Sequence, residues 1–113
     1  MIRIPKNRPA THPGEMLLSE FLVPMGLTQK QLADAIKVPF QRINQIVSGK
    51  RGITPSTALR LGKYFDMSAG FWLNLQMKCD LQAAERAEHD VLNAIEPQTA
   101  SSISKSGIIR NAR

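Results

Sequence analysis

Apolar residues recur at helical spacing almost throughout this 113-residue chain, and helix start and stop signals cut the pattern into short pieces. A first helix is expected from near Thr11 or His12, with Pro13 in its first turn and Glu15 at its positive end. Met16, Leu17 and Phe21 supply its inner face, and Pro24 to Gly26 end it. Thr28, with Gln31 three residues later, is a capping-box pattern that opens a second helix with Leu32, Ala33 and Ile36 inward. After Lys37–Val38–Pro39, a third helix runs from about Phe40 to Ser48 and stops at Gly49. Thr54–Pro55, a cap followed by proline, starts a fourth that reaches about Phe65. A fifth begins near Ser68 and continues past Leu81 towards Asn93.

The expected fold is therefore all-α, five helices with a longer C-terminal one. Aromatics make up only 5% and long Val/Ile/Thr alternations are missing, which argues against a sandwich or barrel. The boundaries read as an N-terminal arm over residues 1–10, one helical domain over 11–96 and a flexible Ser-rich tail over 97–113. A single cysteine, Cys79, excludes an internal disulfide and a cysteine-based zinc site. His12 and His89 have no ligand at metal spacing, so no metal or other cofactor is expected. Asp80, Glu85 and Glu88 read as solvated acids or partners of Arg86, and no Gly-rich phosphate loop occurs, so nothing supports an enzyme. No stretch approaches ~18 apolar residues and no signal peptide is visible, which points to the cytoplasm.

Charge is distributed unevenly around a net of +6. Between Asp34 and Asp66 there is no acid, while Lys37, Arg42, Lys50, Arg51, Arg60 and Lys63 all fall there. The stretch from Asp66 to Glu96 is acidic. A basic block beside an acidic one suits a domain with one side towards a polyanion.

The second and third helices, joined by a short turn, are the elements of a helix-turn-helix. Projected at ~100° per residue, Ile43, Ile46 and Val47 of the third helix share an inner face. The outer face centres on Gln41 and Gln45, flanked by Asn44 and Ser48 on one side and Arg42 on the other. Amides bond bidentately to adenine and arginine to guanine, so Gln41, Arg42, Asn44 and Gln45 are candidate base contacts in a major groove. Thr28 and Gln29 open the second helix, where free N–H groups suit a phosphate, and Lys50 and Arg51 follow the third. Phe40 is expected to pack at the core edge, with contact to a thymine methyl as the alternative, and Trp72 to pack in the core or at a dimer contact.

The pattern TQKQLADAI…RINQIVSGKR resembles the helix-turn-helix of phage-repressor-like (Cro/repressor, XRE) regulators. HPGEMLLSEFL, GKRGITPSTALRLGKYF and SAGFWLNLQMKCDL further resemble the HigA (VapI-like) antitoxin family, over about residues 9–95. The resemblance implies a dimeric DNA-binding protein that neutralises a HigB-type, RNA-cleaving toxin and represses its own operon at a palindromic operator. It places base contacts on Gln41, Arg42, Asn44 and Gln45, as the projection does, and phosphate contacts on Thr28, Gln29, Lys50 and Arg51. No motif for toxin contact transfers to particular residues. A stand-alone regulator of the same fold is the alternative, and a more distant one is an interaction module using the acidic block. Two positions depart from the family pattern. Lys37 stands where many relatives have glycine, and Pro39 where a serine or threonine usually opens the recognition helix.

Overall fold

The structure, a computed structural model, describes residues 10–98. Residues 1–9 of the expected arm and 99–113 of the expected tail lie outside the described residues. Six helices occur among the described residues: α1 (residues 13–25), α2 (Gln29–Ile36), α3 (Phe40–Val47), α4 (Pro55–Phe65), α5 (Ala69–Ala87) and α6 (His89–Ala94). The fifth run expected from sequence is thus two helices, because Glu88 leaves helical geometry at φ −114°, ψ 22°. No strand occurs among the described residues. The chain divides into two compact units between Ala83 and Ala84. The first contains α1 to α4 and most of α5; the second contains the end of α5 and α6.

Local chemistry sets most helix ends. His12 Nδ1 accepts from Gly14 N–H at 2.9 Å and caps α1. Within α1, Leu17–Leu22 forms a π-helical turn in which Val23 N–H donates to the Leu18 carbonyl. Pro24 explains the widening: it has no N–H for the Glu20 carbonyl, and its ring would crowd that oxygen in a regular helix. Gly26 then ends α1 in the left-handed region at φ 63°. The capping box on α2 is complete, with Gln31 N–H on Thr28 Oγ1 at 3.0 Å and Thr28 N–H on Gln31 Oε1 at 2.8 Å. Thr54 caps α4 through Thr57 N–H at 3.4 Å.

The core of the first unit is built from Leu17, Leu32, Ile43, Ile46, Leu61 and Trp72, all fully buried. Trp72 packs at 5.1 Å between ring centroids from both Phe21 and Phe71, and Phe21 lies 4.7 Å from Phe65. Such tilted and edge contacts add about 0.5–1.5 kcal/mol each beyond burial. Leu32, Ala33 and Ile36 form the inner stripe of α2 as their spacing indicates. Phe40 corrects its expectation: the residue stays 48% exposed and is not among those packed against the core. As the first residue of α3, it lies beside the inner face marked by Ile43 and Ile46 rather than on it.

Candidate nucleic-acid interface

The outer face of α3 is polar because its apolar residues sit at the positions that face the core. Ile43 and Ile46 are fully buried, while Gln41 and Asn44 are exposed and Arg42 and Gln45 half-buried. The four candidate base contacts therefore share one short helix. Gly14 permits the close approach that seats this helix on α1. A Cβ at Gly14 would fall on the carbonyl oxygen of Ile46, so only hydrogen fits there.

Hydrogen bonds fix several side chains of this face. Asn44 Nδ2 donates to Gln29 Oε1 at 3.1 Å, tying the middle of α3 to the first residue of α2. Arg51 Nε donates to Gln45 Oε1 at 3.0 Å, joining a candidate phosphate contact to a candidate base contact. The N–H groups of Lys50 and Arg51 both reach the Gln45 carbonyl, at 2.8 and 3.2 Å. Gly49, at φ 81°, supplies the left-handed residue that lets the chain fold back this way. Thr28 uses its oxygen as an acceptor in the cap, which leaves its hydroxyl proton to donate to a phosphate. The N–H groups of Gln29 and Lys30, in the first turn of α2, have no partner within the helix ladder.

Electrostatics agree with an anionic partner. Lys30 pairs with Asp34 at 3.3 Å on the exposed side of α2. Among the described residues, none of Lys37, Arg42, Lys50, Arg51, Arg60 and Lys63 makes an ion pair, so the field of the basic block is not internally cancelled.

Two residues that position the site escaped the sequence. Arg60 Nη1 donates to the carbonyl of Ile36 at 2.8 Å and of Lys37 at 3.2 Å, capping α2 where the helix-turn-helix bends. Its Nε is held by Ser56 Oγ at 3.3 Å. Gln76 Oε1 accepts from Ile53 N–H at 2.7 Å and anchors the end of the loop that carries Lys50 and Arg51. In the sequence Arg60 is only one cation of the basic block, and Gln76 carries no signal. The turn itself follows the sequence. Lys37 is left-handed at φ 63°, ψ 49°, and Pro39 sits at the N-cap of α3 with no side-chain bond. The strain at Lys37 is about 1 kcal/mol relative to glycine.

A polar helix seated on a capped partner helix by a three-residue turn, with unpaired cations around it, defines a helix-turn-helix protein of the phage-repressor-like class. The helix-turn-helix family HTH_3 matches residues 18–72. The chain is 51% identical to virulence-associated protein I of Dichelobacter nodosus over 89 residues, 79% of this chain and 82% of the relative. It is 33% identical to antitoxin HigA-1 of Vibrio cholerae over 96 residues, covering 85% and 90% of the two chains. The structure of Pseudomonas aeruginosa antitoxin HigA with the higBA promoter superposes with TM-score 0.77 at 44% identity, covering 81% of this chain and all of that one. The chain belongs to the HigA (VapI-like) antitoxin family of helix-turn-helix proteins. Among the described residues, no helix is long and apolar enough to cross a membrane.

Proposed function

We propose that this chain is a sequence-specific DNA-binding antitoxin that represses its own operon and neutralises a HigB-type RNA-cleaving toxin. The observation that carries this reading is the 44% identity, over most of the chain, to an antitoxin HigA solved with its promoter. Gln41, Arg42, Asn44 and Gln45 read base edges from the major groove; their common outward face on α3 supports that role. Thr28, Gln29, Lys50 and Arg51 hold phosphates on either side, supported by the free first-turn N–H groups of α2 and the unpaired cations after α3. The protein works as a homodimer in the cytoplasm. Two copies of α3 enter successive major grooves about 34–36 Å apart, which requires a palindromic operator.

The chain's net charge of +6 gives no general attraction for a basic toxin, so toxin contact must be local. The experiment is co-expression of the tagged full chain with the reading frame beside its gene, followed by pull-down and a growth assay of that neighbour alone. A toxic neighbour that co-purifies and is silenced is the expected result. A harmless neighbour that does not bind leaves a stand-alone helix-turn-helix regulator.

A further inference from the structure

We propose that Phe40 reads the C5-methyl group of a thymine in the operator. The inference rests on the DNA-binding reading above and adds a specificity residue to it. Phe40 is the first residue of α3, and the N-terminal residues of a recognition helix are those that meet base edges. Pro39, fixed at φ −63°, ψ 145°, sets the direction in which the helix leaves the turn. The residue is 48% exposed, and among the described residues its ring makes no contact with another aromatic ring. It lies one turn before Asn44, on the flank where Asn44 bonds to Gln29.

A phenyl ring can neither donate nor accept with a base edge. Among the four ordinary bases, thymine alone presents an apolar group in the major groove. Burial between the ring and that methyl removes apolar surface of both from water. The neighbouring amides of Gln41 and Asn44 suit adenine, so the end of the helix that carries Phe40 favours A·T pairs, while Arg42 suits a guanine.

The test uses the full chain and a duplex of roughly 30 base pairs from the DNA upstream of its own gene, long enough for two half-sites one turn apart. Each thymine is replaced in turn by deoxyuridine, which removes only the methyl group. At one position in each half-site, the unaltered protein should bind the deoxyuridine duplex about fourfold more weakly. Phe40→Ala should bind the two duplexes equally there, and Phe40→Met should keep part of the difference. Indifference of the unaltered protein at every position, or full sensitivity retained in Phe40→Ala, overturns the proposal. If the unaltered protein does not prefer the upstream duplex to a scrambled one, the operator reading itself fails, and this assignment with it.

Discussion

The guanidinium of Arg60 donates to the carbonyl oxygen of Ile36 at 2.8 Å, across 24 residues of chain. It thereby caps α2 at the bend of the helix-turn-helix, so Arg60 acts on α3 through the turn. Arg60→Met should lower stability in urea by about 1–2 kcal/mol with an unchanged m-value, since exposure weakens each bond. Operator affinity should fall while the salt dependence keeps its slope, because no phosphate contact is lost. A flattened slope would instead make Arg60 a phosphate contact.

Lys37 carries the left-handed conformation of the same turn at φ 63°. Lys37→Gly removes the clash between Cβ and the backbone but loosens the unfolded chain. The first effect is larger, and a gain of about 0.5 kcal/mol in urea unfolding is expected. A loss of stability would show that the lysine side chain contributes more than the strain removes.

Gly14 lies against the backbone of α3, where a methyl group would overlap the Ile46 carbonyl. Gly14→Ala should therefore cost about 2–3 kcal/mol, measured by thermal or urea unfolding. The variant that still folds should bind its operator poorly, since α1 and α3 must move apart. Wild-type stability and affinity together would contradict this packing.

Variants at Gln45 and Lys50 test the proposed division between base reading and phosphate anchoring. Gln45→Ala should weaken operator binding by about 1–3 kcal/mol and relax the preference at one base pair. Lys50→Ala should weaken all sequences alike and reduce the salt slope by about one. Both are read from titrations against the operator and a scrambled duplex at several salt concentrations. Equal loss on both duplexes for Gln45→Ala would remove it from the base-reading set.

The amino-acid sequence by itself determined five helical runs, the caps at Thr28 and Thr54 and the two faces of α3, but not the break at Glu88 that divides the fifth run into α5 and α6. These follow from interactions within about four residues: Thr28 with Gln31, Thr54 with Thr57, and Ile43 with Ile46 on one side of a single helix. The π-turn before Pro24 is not legible in the apolar spacing, although its cause is a local one. Only the tertiary structure decided that Arg60 belongs to the turn, that Gln76 holds the loop at Ile53, and that Gly14 lies under Ile46. It also decided that Phe40 faces solvent, because a residue at the edge of a helical stripe is buried only if a neighbouring helix reaches it. Each of these depends on which helices meet and how closely, and helical periodicity within one segment carries no record of the distance to another.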